Sequence, residues 1–209
     1  MSSHNISDEY GAESGIPTFK VIVIGDVSVG KTSIISRFCE GEFKESYPSS
    51  LGVDFKMKEM KVSDQSLIKL QVWDFAADIH SRFANVAKHS YSEAHAIIIV
   101  FDITNKESYK DLDTHWLGEL QQQTLRENHV KILVGNKLDL VDKRAVTNAQ
   151  SLASKYGCEY METSAKKGDN IEKLFQTVAQ NVFDSYQKGG FKEEVWTEDK
   201  DKKKKCSLQ

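Results

Sequence analysis

Apolar residues along this chain fall into two alternating patterns. "FKVIVIG" (19–25), "AHAIIIVFDI" (94–103) and "VKILVGNK" (130–137) are near-continuous apolar runs of strand length, as expected of strands buried on both faces. Between them lie segments with helical spacing. "GKTSIISRFCEG" (30–41) predicts a helix that stops near Gly41. "KESYKDLDTHWLGELQQQ" (106–123) predicts one with Leu112, Trp116 and Leu120 on one face. "TNAQSLASKYG" (147–157) predicts a helix capped by Thr147 and ended by Gly157, and "NIEKLFQTVAQNVFDSY" (170–186) predicts the last one. "VDFKMKEMKV" and "SLIKLQVWDF" are joined by the short turn "SDQS", which predicts an antiparallel hairpin, and "CEYMETSA" predicts a short strand and loop. Strands alternating with helices imply an α/β fold: a mainly parallel sheet, covered on both faces, with one antiparallel edge strand from the hairpin.

Outside this pattern the chain changes character. Residues 1–17 are polar and end at Pro17, and are expected to form a flexible arm. Residues 18–186 carry the alternation and form the expected domain. Residues 187–209 are dense in charge without periodicity and are expected to be a disordered tail.

Bulk composition narrows the class. The 209 residues suffice for one domain with a full core, and 39% apolar with 28% charged residues is ordinary for a soluble protein. A net charge of −3 supplies no field that draws the whole protein to nucleic acid. Cys39, Cys158 and Cys206 are too scattered for a zinc site or a disulfide framework and fit a reducing compartment. No stretch reads as a signal peptide or membrane span, Ser2 excludes N-myristoylation, and the Asn5-Ile6-Ser7 sequon reads as a chance match.

The chemistry is concentrated in three loops. "GDVSVGKT" (Gly25, Asp26, Val27, Ser28, Val29, Gly30, Lys31, Thr32) follows a predicted strand and opens a predicted helix, the context of a phosphate-binding loop. Its glycines let backbone N–H groups turn to phosphate oxygens, and the helix N-terminus adds its positive end. Lys31 reaches the outer phosphates and serves catalysis, Thr32 ligates Mg²⁺, and Ser33 is expected among the nucleotide-binding residues. "NKLD" (Asn136, Lys137, Asp139) follows a later strand. A carboxylate there accepts from both N1–H and the exocyclic amine of guanine, a donor pair that adenine lacks. Asn136 is expected on the base edge and the stem of Lys137 over the ring. "TSAK" follows, where a backbone N–H of Ser164, Ala165 or Lys166 donates to guanine O6.

With these three loops in this order, residues 18–185 resemble a small GTPase of the Ras superfamily, most like the Rab branch. "LGVDF" (51–55), "KLQVWD" (69–74), "RFANVA" (82–87), "VFDIT" (100–104) and "THWLGEL" (114–120) carry the likeness. It implies a P-loop NTPase fold with a six-stranded sheet and five helices, Mg²⁺-dependent binding of GTP and GDP, and two switch loops that follow the γ-phosphate. It places Ser50 where the family has a Mg²⁺-ligating Thr, Phe43 beside the guanine, and Asp74 on Mg²⁺ through water.

The resemblance breaks at "WDFAADIHSRF" (73–83), where the family reads Asp-Thr-Ala-Gly-Gln-Glu-Arg-Phe. Ala77 replaces the Gly whose N–H meets the γ-phosphate. Asp78 replaces the water-orienting Gln; a carboxylate is repelled by a polyanion and lacks the amide donor. His80 is a candidate water ligand or simply an exposed loop residue. Val27 stands where the family prefers a small residue and is expected to crowd the space needed by water or an incoming arginine. Binding residues are kept and hydrolysis residues altered. The chain closes on "KKKKCSLQ", where Cys206 heads a C-a-a-X box for prenylation beside the basic run Lys202–Lys205. The leading expectation is a monomeric, membrane-tethered GTP switch of vesicle traffic with weak hydrolysis. It works with effectors, an exchange factor and an activating protein, at a cytoplasmic membrane face with a cytosolic pool. The alternative is a non-hydrolysing, GTP-bound scaffold; a purine kinase or ATPase is disfavoured by "NKLD".

Overall fold

The computed structural model describes residues 16–47, 53–63, 66–75, 90–123 and 125–190. Six strands form one sheet: β1 Thr18–Gly25, β2 Val53–Ser63, β3 Ser66–Phe75, β4 Ala96–Asp102, β5 Val130–Asn136 and β6 Glu159–Glu162. They lie in the order β2-β3-β1-β4-β5-β6. All neighbours are parallel except the β2–β3 hairpin, so β2 is the antiparallel edge strand that the hydrophobic pattern predicts.

Strand periodicity divides the core in two. Val21 and Val23 of β1, Ile98 and Val100 of β4, and Ile132 and Val134 of β5 face one layer. Their neighbours Ile22, Ile24, Ile97, Ile99, Phe101 and Leu133 face the other. The first layer is closed by helices α1 (Lys31–Glu40) and α4 (Ile171–Gln187), with Phe38 stacked on Phe175 at 3.7 Å between ring centroids. The second is closed by α2 (residues 106–122) and α3 (Ala149–Lys155). Residues 90–93 are also helical.

α2 departs from expectation. It runs as Lys106–Asp111, a π turn at Leu112–Trp116, and Leu117–Gln122. Asn105 caps it by accepting from the Glu107 and Ser108 amides. The π turn spends an extra residue per turn, yet Leu112, Trp116 and Leu120 remain buried. α1 ends as predicted, with Gly41 at φ 73° donating its N–H to Arg37 O. α3 does not begin on a Thr147 cap. Its first residue is Ala149, the preceding Asn148 makes no side-chain cap, and Ser151 Oγ instead donates back to Asn148 O at 2.9 Å. Gly157, at φ 63°, does end α3, with the Cys158 amide reaching back to Ala153 O at 2.8 Å.

The functional consequence of this topology is convergence. The parallel strands β1, β3, β4, β5 and β6 all finish on one side of the sheet, where open α/β sheets bind ligands.

Candidate functional site

The phosphate loop leaves β1 at Gly25. At φ 136°, a Cβ there would stand 2.1 Å from Val100 O on β4, so only glycine lets the chain turn so close to its neighbour. Lys31, buried at the start of α1, folds its ammonium back over the loop to donate to Gly25 O (2.8 Å) and Asp26 O (2.7 Å). Burial lowers its pKa to about 8, opposed by the charges of Asp74 and Asp26. A polyphosphate laid against it would favour the charged form again, so the desolvated ammonium is suited to a dense anion. Ser28 sits in the left-handed region at φ 63°, and Val27 is 70% exposed on the same loop.

Thr32 Oγ donates to Asp74 Oδ2 at 2.6 Å, joining the start of α1 to the end of β3. These are two hard oxygen donors next to the phosphate loop. Among the described residues no group of three His, Cys, Asp or Glu side chains could hold an ion. Mg²⁺ is typically held by one or two protein oxygens, with waters and substrate phosphates completing the shell. Thr32 and Asp74 therefore fit the ion.

The base side is knitted by Asn136. Its side chain is buried; Nδ2 donates to Val29 O (2.9 Å), while Oδ1 accepts from Thr163 Oγ1 and from the Ala165 amide (both 3.2 Å). The sequence pattern predicts this amide on the base edge. In the structure it ties the phosphate loop to the two base loops. Ser164 Oγ donates to Asp139 Oδ1 at 2.6 Å, fixing the carboxylate's orientation, and the Leu138 amide bonds Thr163 O. Lys137, at φ 68°, anchors its ammonium on Asp102 Oδ2 at 2.7 Å. A two-pronged Arg144–Glu162 pair, 2.7 Å on each side, braces the end of the loop against β6 and holds the Glu162 carboxyl below its ordinary range.

Three contributors were not singled out from sequence. Trp116 donates its indole N–H to Asp26 Oδ1 at 2.7 Å, so the π turn of α2 supports the phosphate loop from the side. The signal was available: a core-facing Trp requires a partner for its N–H. Burial raises the pKa of the Asp26 carboxyl, with Asp111 adding to the effect and the Trp116 bond opposing it. Asp102 anchors Lys137, as above. Arg37 of α1 donates Nε to Ala165 O (2.9 Å), Nη2 to Lys166 O (2.8 Å) and Nη1 to Gly41 O (2.7 Å), with its guanidinium 6.0 Å from the Phe43 ring centroid. Phe43 is partly buried against the core. Lys166 also pairs with Glu45 at 2.9 Å. Ser50, Ala77, Asp78, His80 and Cys206 lie outside the described residues.

A sequence model of the Ras family matches residues 20–184. The chain is a Ras-superfamily small GTPase, most like the Rab family. The GTPase is 43% identical to "Ras-related protein Rab-1" of Theileria annulata over 168 residues, covering 79% of this chain and 74% of the relative. With the protein of the same name from Theileria parva it shares 42% over the same span and coverage. Membership implies binding of GTP and GDP with Mg²⁺, and GTPase chemistry in general. Lys31, Thr32 and Asp74 gather at the phosphate loop, and Asp139 is tied to the "TSAK" loop through Ser164.

Proposed function

We propose that this GTPase is a Rab-like switch of vesicle or membrane traffic, prenylated at Cys206 and held at the cytoplasmic face of a membrane, with slow intrinsic hydrolysis. The observation that carries the reading is a contrast. The binding elements are present and held: Thr32 bonds Asp74, Lys31 the Asp26 carbonyl, Asn136 the Val29 carbonyl, and Asp139 accepts from Ser164. The residues that govern cleavage, Val27, Ala77 and Asp78, depart from the family. The relatives' name, Rab-1, supports the trafficking role. No described helix is long and apolar enough to cross a membrane, so the lipid and Lys202–Lys205 supply the anchor in this reading.

Ser50 and the stretch 77–80 are the switch elements of this reading. Between them in sequence, the β2–β3 hairpin presents Phe55, 39% exposed and stacked on Trp73 at 5.0 Å, with Trp73 stacked in turn on the buried Phe75 at 6.2 Å. Effector proteins would bind along this face, where they sense both loops. An exchange factor and an activating protein complete the cycle, and the protein acts as a monomer.

Single-turnover GTP hydrolysis tests the chemistry. The expected rate lies below the intrinsic Ras-like value of about 10⁻⁴ s⁻¹. Ala77→Gly with Asp78→Gln should raise it while leaving GTP affinity nearly unchanged, and adding Val27→Gly should raise it further. A parent rate at or above the usual intrinsic value would overturn the slow-hydrolysis reading. Liposome flotation tests the anchor: Cys206→Ser should abolish it, and undiminished flotation would place the anchor elsewhere.

A further inference from the structure

We infer that Arg37, on the helix that follows the phosphate loop, is the positioning residue for the backbone N–H that reads guanine O6. The inference rests on the guanine reading proposed above and adds to it both the donor and what holds it.

The donor follows from the loop's hydrogen bonds. The Ser164 amide is spent on Asp169 O (3.0 Å), the Ala165 amide on Asn136 Oδ1 (3.2 Å), the Lys167 amide on Ser164 Oγ (3.0 Å) and the Gly168 amide on Ser164 O (2.7 Å). Among the described residues, none takes the N–H of Lys166. That N–H belongs to the same peptide plane as Ala165 C=O. In a trans peptide the two groups point in opposite directions. Arg37 Nε grips Ala165 O at 2.9 Å, so it fixes the direction in which the Lys166 N–H points. A cation on the carbonyl also polarises the peptide and makes its N–H a stronger donor.

The rest of the guanidinium makes the grip rigid. Nη2 holds the next carbonyl, Lys166 O, and Nη1 holds Gly41 O, at the end of Arg37's own helix. Three carbonyls at three angles need a planar fork; a lysine ammonium supplies a mobile point charge in its place. The same guanidinium stands by Phe43, so one side chain sets the loop and the aromatic that border the base.

The test measures affinities of GTP, inosine triphosphate and 6-thioguanosine triphosphate for the parent, Arg37→Met and Arg37→Lys. Inosine keeps O6 and lacks the amine paired by Asp139; thioguanosine keeps the amine and N1–H but offers sulfur, a poor acceptor. The parent should prefer GTP over the thio analogue. Arg37→Met, which keeps the stem and loses every donor, should bind GTP and inosine triphosphate roughly 30-fold more weakly, the size of one misdirected hydrogen bond. The thio analogue should change by no more than about threefold. Arg37→Lys should show the same selective loss at roughly 10-fold or more, and decides the matter if the Met variant does not fold. Equal losses for all three nucleotides, a smaller loss for inosine triphosphate than for GTP, or parental affinities in Arg37→Lys would overturn the role of Arg37 and leave the guanine reading standing. A parent that binds GTP and the thio analogue equally would overturn the O6 reading itself, and the inference with it.

Discussion

Asp139→Asn is expected to weaken GTP by about 10³-fold or more and to shift preference toward xanthosine triphosphate. The carboxylate is fixed by the Ser164 hydroxyl at 2.6 Å, so in the proposed reading it would meet the guanine N1–H and amine without searching for its geometry. An amide retains one acceptor and replaces the other with a donor. Facing guanine, that donor meets the exocyclic amine, and both groups are left unsatisfied in a desolvated site. Sites built to hydrogen-bond a polar group reject the mismatched analogue by roughly 10⁴. Xanthine carries a carbonyl where guanine carries the amine, and it accepts the new donor. The Ser164 bond survives the change, because its hydroxyl still donates to the remaining amide oxygen. Competition binding with GTP, xanthosine triphosphate and ATP checks this; equal GTP affinity in variant and parent would remove Asp139 from the base site.

Gly30→Ala is expected to be nearly as damaging, through a different route. Gly30 has φ 100°, and a Cβ built there would stand 2.3 Å from Asn136 Nδ2. That nitrogen is the donor to Val29 O. The added methyl therefore strains the backbone and displaces the amide that ties the loops together. Left-handed strain and a core clash together cost about 3 kcal/mol, and nucleotide affinity should fall by at least about 100-fold. Gly41→Ala is the control. Gly41 is also left-handed, at φ 73°, but nothing lies within 4 Å of its Cβ position. Its cost should stay near 1 kcal/mol of stability with affinity unchanged. Thermal melting and nucleotide dissociation rates of the two variants separate these effects; matching behaviour would show that the Asn136 contact does not matter.

Much of the scaffold was legible because two periodicities were clean. β1, β4 and β5 carry apolar residues on both faces over most of their length, which requires both faces to be covered, and the two core layers meet that requirement. The edge hairpin followed from a turn too short to cross the sheet. The phosphate loop was legible for a local reason: its motif stands between one strand and one helix. Contacts over long sequence separations were not legible. Asn136 reaches Val29 and Thr163, and Trp116 reaches Asp26, only once the sheet has assembled. The π turn left no trace in the pattern, since Leu112, Trp116 and Leu120 bury themselves with or without an extra residue. Thr147 has the chemistry of a cap, but the helix starts after Asn148.

The Asn136 knot has a consequence for kinetics. One buried amide holds the phosphate loop through Val29, and the "TSAK" loop through Thr163 and Ala165. The walls around a bound nucleotide cannot peel away one by one at independent cost. Loosening either loop strips partners from the same side chain and lowers the barrier for the other. Nucleotide release is therefore expected to be a concerted opening, in which a protein that levers up the phosphate side also slackens the grip on a base it never touches.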